Sequence, residues 1–129
     1  MNEAFQKHGA VSWTELITSD AEAAKKFYGA LFGWTFTLFP NPEMQYNVIN
    51  VGGQQIGGIM KTPAKAGNMP PAWTSYVTVE NVDQTAKNAK ELGAKLLVPP
   101  TDIPTVGRFC VIQDPQGASI AAITYAMKK

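Results

Sequence analysis

The chain has 129 residues, 45% of them hydrophobic and 16% charged, which suits one compact domain and leaves no room for a second independent core. Eleven basic and ten acidic residues leave a formal charge of +1, and no lysine cluster exceeds a pair, so nucleic acid is disfavoured as the main partner and none is expected. No apolar run approaches the roughly 20 residues of a membrane span and the opening Met1 to His8 lacks a secretory apolar stretch, so a cytoplasmic protein without membrane contact is expected.

The segment Val11 to Thr18 is β-branched and aromatic, the composition of a strand. Ser19 and Glu22 then read as a capping box, and Ala24, Phe27, Tyr28, Leu31 and Phe32 recur at helical spacing until Gly33, predicting a helix whose apolar stripe is core. Three short strands follow at Trp34 to Leu38, Gln45 to Val51 and Gln55 to Met60, parted by Pro40-Asn41-Pro42 and Gly52-Gly53. Residues 61–71 hold three prolines and read as a connector.

The same grammar then returns. Trp73 to Val79 reads as a strand, Asn81 and Gln84 as a helix start, Val82, Thr85, Ala86, Ala89 and Leu92 as a stripe, and Gly93 as the stop. Strands are expected at Ala94 to Val98, Arg108 to Gln113 and Ser119 to Tyr125, with Pro99-Pro100 and Asp114-Pro115-Gln116-Gly117 between them. The pattern is βαβββ twice, an α+β domain over residues 1–129 with repeats at about 10–60 and 72–126 and sheets that curl into a cup.

Register matters, because a slip of one residue exchanges the two faces of a strand. The helix starts at Asp20 and Asn81 lie 61 residues apart. That offset sets Trp13 with Thr74, Glu15 with Tyr76, Leu16 with Val77 and Thr18 with Val79. Matching by letter would instead pair Trp13 with Trp73.

Two motifs, Asp20-x-x-x-Ala24-x-x-Phe27-Tyr28-x-x-x-Phe32-Gly33-Trp34 and Asp114-Pro115-Gln116-Gly117-Ala118, together with the internal repeat, resemble the vicinal oxygen chelate superfamily of glyoxalase I, bleomycin-resistance proteins and extradiol dioxygenases. The resemblance covers essentially the whole chain. It implies a cup of two βαβββ repeats, and in catalytic members a divalent metal held by His and Glu on the first and last strand of each half. Carried onto this sequence, those positions fall on Trp13, Gly57 or Gly58, Thr74 or Trp73, and Ala121. None offers a strong side-chain donor to a divalent cation, so neither a metal nor another cofactor is expected.

Residues left to act are few. His8, the sole histidine, precedes the first strand and reads as solvent-exposed in a loose segment. Glu15 is the only carboxylate inside an expected strand and shares a face with Trp13, which makes it a ligand anchor or a general base with a raised pKa. Its alternative is an ion pair with Arg108, the only arginine. Arg108 lies in a stretch, Ile103-Pro104-Thr105-Val106-Gly107-Arg108-Phe109, that resembles a signature of a glyoxalase-like subgroup of mostly undefined biochemistry, and a guanidinium there is suited to an anionic or carbonyl-bearing ligand. Trp13, Met60, Trp73, Thr74, Tyr76, Phe109 and Ala121 complete the expected cup lining, either as a ligand platform or as filling.

Cys110 is the only cysteine, which excludes an internal disulfide, and it reads as a buried small hydrophobe. Three functions remain: metal-free binding of a small organic molecule, a metal-independent isomerase, lyase or hydrolase-like enzyme using Glu15, and an association module without a pocket. A homodimer is expected, because one cup leaves sheet edges and apolar surface uncovered.

Overall fold

The computed structural model describes residues 3–40, 45–63 and 69–126, so residues 41, 42 and 64–68 of the expected separators lie outside the described residues. Its elements run β1 (Val11–Thr18), α1 (Ala21–Phe32), β2 (Thr35–Leu38), β3 (Asn47–Val51), β4 (Gln54–Lys61), β5 (Ala72–Thr78), α2 (Val82–Glu91), β6 (Lys95–Ile103), β7 (Gly107–Gln113) and β8 (Ser119–Tyr125), after a short 3-10 helix at Glu3–Gln6. This is the expected βαβββ order, twice. The chain packs as two compact units, Trp13–Trp73 and a second from Thr74 onward that takes in the segment before Trp13.

In the first unit the strands run in the order β2-β3-β4-β1. β1 and β4 are parallel and the other neighbours antiparallel. Leu16, Ile49 and Ile59 make its buried core, with Ala21, Ala24 and Tyr28 of α1 laid over them. The helix begins at Asp20, whose carboxylate accepts from the Ala23 N–H at 3.0 Å. Asp20 rather than Ser19 is therefore the cap, since its oxygen reaches the N–H three residues on. Gly33 closes the helix in the left-handed conformation at φ 73°, which costs glycine nothing.

The second unit repeats this layout as β5-β8-β7-β6. Val79, Val82, Ala86, Cys110 and Ala122 form its core, with Val77 packed against them, and Asn81 caps α2 through the Gln84 N–H at 3.0 Å. β6 continues through Pro99-Pro100, where the sequence suggested a break. It is the edge strand, and its register against β7 shifts between Leu96 and Thr101, the setting in which a strand tolerates residues without an N–H. Asp102 consequently also lies in a strand. The N-terminal segment is tied down here: Gly9 N–H donates to Thr78 at 2.7 Å, Thr78 N–H to Ala10 at 2.7 Å, and Glu80 N–H to Nδ1 of the exposed His8 at 3.0 Å.

The repeat offset of 61 holds. Leu16 and Val77 each pack into the core under their own helix. Glu15 stands opposite Gly58 as Tyr76 stands opposite Ala121.

Candidate functional site

Strand alternation sorts the expected site residues before any contact is considered. In the first unit Leu16 and Ile59 face α1, so Trp13, Glu15 and Ile17 of β1 and Gly58 and Met60 of β4 share the other face. Glu15 is a buried carboxylate on this face, 9% exposed. Over this face lies Tyr46, just before β3 and buried at 8% exposure. A Cβ built on Gly58 runs into the Tyr46 ring, at Cε1, Cζ and the hydroxyl oxygen alike. Trp13 Nε1–H donates to that hydroxyl at 2.9 Å, which fixes the ring in place.

That arrangement tests the family's metal site. Of the two glycines the resemblance left open, the pairing selects Gly58, because it holds opposite Glu15 the place that Ala121 holds opposite Tyr76. A ligating side chain at 58 has no room while Tyr46 occupies the space. Among the described residues no group of three or more His, Cys, Asp or Glu side chains is placed to hold a metal ion. The residues present do not fit a divalent cation.

In the second unit Cys110 and Ala122 face α2. The opposite face carries Thr74, Tyr76, Phe109 and Ala121, the last 1% exposed. The Tyr76 and Phe109 rings meet at 6.3 Å between centroids. Besides the hydroxyl of Thr74 and the phenol of Tyr76, alternation puts Thr78, Ser119 and Tyr125 on this face, and the Thr78 hydroxyl donates to the Phe5 carbonyl.

Two expected site residues stand elsewhere. Arg108 pairs with Thr124 on the α2 side of its sheet, the face opposite Phe109. Its Nε and Nη2 donate to Asp83 of α2 at 3.0 and 3.1 Å, and its Nη1 to Asp102 at 3.1 Å. The carboxylates it meets are these two, where the sequence offered Glu15. Its hydrogen bonds hold Asp83 below the usual carboxylate range, and the two carboxylates raise the guanidinium's own pKa. An open cleft of about 400 Å³ borders this cluster, lined by Asp102, Pro104, Tyr125 and Arg108 among others.

Trp73 is the second. It alternates onto the face of Ser75 and Val77, and its ring packs edge-on against Tyr28 at 5.3 Å and Trp34 at 6.1 Å. Trp73 Nε1–H donates to the Tyr28 hydroxyl at 3.2 Å. Trp73 therefore belongs to an aromatic cluster at the end of α1. Cys110, at 0% exposure, is the buried small hydrophobe expected, and burial pushes its thiol up.

Sequence reasoning missed Tyr46. Its only signal was an aromatic residue following Pro40-Asn41-Pro42 in an expected strand, and nothing in that spacing points at Gly58.

The two-helix, eight-strand order and these paired positions define a glyoxalase-type fold, and residues 10–121 match the Glyoxalase/Bleomycin resistance protein/Dioxygenase superfamily. The chain belongs to that superfamily. It is 36% identical over 116 residues to the putative glyoxylase CFP32 of Mycobacterium tuberculosis, covering 89% of this chain and 44% of that protein. It is 30% identical over 126 residues to the anthracycline biosynthesis protein DnrV of Streptomyces peucetius, covering 88% and 46%. The chain thus spans about half the length of the curated relatives it matches. Among solved structures, methylmalonyl-CoA epimerase from Mycobacterium tuberculosis superposes with a TM-score of 0.67 at 14% identity, over 98% of this chain and 93% of that one, a likeness of fold.

Proposed function

We propose that residues 1–129 act as one glyoxalase-like domain that binds a small organic molecule without a metal, on the face built by Trp13, Glu15, Tyr46 and Met60. The observation that carries this reading is the Tyr46 ring over Gly58: the space a metal ligand needs is held by an aromatic group, hydrogen-bonded to a second one. Indole, phenol and thioether supply flat, polarizable contact for an organic ring system. Glu15 supplies the one charge that orients it.

A second reading rests on the burial of Glu15 alone. A buried carboxylate on the candidate ligand face is suited to act as a general base, which makes a metal-independent isomerase, lyase or hydrolase-like reaction the alternative. A homodimer and a cytoplasmic setting complete the proposal, the latter in keeping with a free, buried thiol at Cys110. A thermal-shift screen of a metabolite and natural-product panel tests it, since a ligand of the folded state raises the melting temperature by mass action. Hits on the native chain that vanish in Tyr46→Ala and Glu15→Gln support binding at this face. Hits unaffected by both substitutions contradict it. Turnover lost in Glu15→Gln with binding retained favours the enzyme.

A further inference from the structure

Between helix and sheet the two units differ at one buried contact. Counted from the caps Asp20 and Asn81, Lys25 of α1 corresponds to Ala86 of α2. Val48 stands opposite Gly58 as Val111 stands opposite Ala121, so Asn47 and Cys110, one residue earlier on their strands, correspond as well. In the second unit Ala86 and Cys110 are buried together, an apolar contact. In the first the contact is polar: Lys25 Nζ donates to Oδ1 of Asn47 at 3.1 Å, and Asn47 is only 7% exposed. A buried polar pair seldom stabilises more than an apolar pair of similar size, and its best-attested use is to specify register.

The rest of the Asn47 amide is committed to the backbone around Tyr46. Its Nδ2 donates to the Ile59 carbonyl at 3.2 Å and to the Gln45 carbonyl at 3.5 Å. Gln45 sits in the left-handed conformation at φ 45°, uncommon for a residue with a side chain, and turns the chain into Tyr46. An ammonium group can only donate, so Lys25 must meet the amide oxygen, which leaves the nitrogen for the two carbonyls. Lys25 is itself ion-paired with Glu22 one turn earlier. β4 does little to set the register here, because it passes Tyr46 with Gly57-Gly58, and glycine-rich strands slip. A slip of one residue would turn the Tyr46 ring toward α1. A slip of two would keep the face but take the ring off Gly58, and either withdraws Asn47 from Ile59 and Lys25.

We infer that Asn47 is the positioning residue of the ligand face. With its amide oriented by Lys25, it fixes β3 against β4, and so places the Tyr46 ring over Gly58 and the Tyr46 hydroxyl where Trp13 Nε1–H donates to it. The inference rests on the binding face proposed above and names what sets its geometry. Asn47 itself faces α1 and touches no ligand: it acts through Tyr46, the residue before it, whose side chain alternates to the other face.

The experiment is hydrogen exchange at the Trp13 indole N–H, followed by NMR on the untagged chain and assigned with Trp13→Phe. That proton is held by the Tyr46 hydroxyl, so its protection reports the position of the ring and needs no ligand. Asn47→Ala removes the amide, and Lys25→Ala/Asn47→Val gives this unit an apolar pair like that of the other, which covers the case in which Asn47→Ala fails to fold. Exchange is expected to quicken by about 10-fold or more in both, the loss of one hydrogen bond, while the double variant melts within a few degrees of the native chain. Asn50→Ala, which removes a bond to Thr37 on the same strand, leaves the indole protected. Native protection in the folded double variant overturns the inference, as does an equal loss in Asn50→Ala. Protection lost only in step with the melting temperature marks a merely structural pair and overturns it too. These results leave the binding reading standing, whereas a ligand panel without a hit removes that reading and leaves the placement of Tyr46 by Asn47 intact.

Discussion

The sheet faces turned away from the helix in each of the two units start from one repeat and differ in opposite ways. In the first, Gly58 leaves a gap that Tyr46 fills from a neighbouring strand, with Trp13 pinning its hydroxyl and Glu15 beside it. In the second, the equivalent place is Ala121, which fills its own space, and Tyr76 stands where Glu15 does. The difference teaches that equivalent strand positions without a metal-ligating side chain are filled in different ways. The first carries an aromatic ring and a buried carboxylate there, the second Ala121 beside the Tyr76 and Phe109 rings.

The comparison breaks most visibly at its pivot. Gly58→Ala drives a methyl group into the Tyr46 ring and is expected to cost about 1–3 kcal/mol in urea denaturation. Much of that cost disappears in the Tyr46→Ala background, because the two sites share one space. Ala121→Gly, the mirror change, costs about 1 kcal/mol through backbone freedom and a lost methyl group. No coupling between 58 and 46 would show that the ring does not fill the space over Gly58 and that the two faces are built alike.

Tyr46→Phe is the finer probe. It keeps the ring and removes the acceptor of the Trp13 Nε1–H bond, so a loss of about 1 kcal/mol and a shift in tryptophan fluorescence are expected.

How much of this was legible beforehand follows from which forces act locally. Strand and helix positions are written in alternation and spacing, and β1 and β8 fall where the sequence set them. The register came from counting between helix caps, and the core residues Leu16 and Val77 agree with it. What failed was everything decided by distant partners. Arg108 looked like the counter-ion of Glu15, but one residue of alternation put it on the α2 side beside Asp83. Phe27, Leu31 and Phe32 read as core because hydrophobicity was taken for burial. In fact Ala21, Ala24 and Tyr28 face the sheet, and those three do not. Tyr46 was invisible because its role is set by a glycine twelve residues away on another strand.

Smaller effects sharpen the second unit. Cys110, fully buried with its thiol pushed up by desolvation, reacts with a thiol reagent only at the rate of unfolding, and denaturant accelerates labelling sharply. Rapid labelling of the native chain would contradict the packing under α2. Smallest is the surface cluster at Arg108. Since Asp83 is held below its usual pKa, the stabilisation it contributes is present above the ordinary aspartate range near pH ~4 and is lost as acid protonates it below that point. Both partners are exposed, so Asp83→Asn flattens the acid limb only slightly, and high salt masks the difference.

The central claim, that the aromatic group over Gly58 has displaced metal chemistry, is tested most directly by metal analysis of untagged protein after equilibration with nickel, zinc or manganese. The account predicts less than about one equivalent of each, unchanged in Glu15→Gln. One tightly held equivalent that is lost in Glu15→Gln would contradict it.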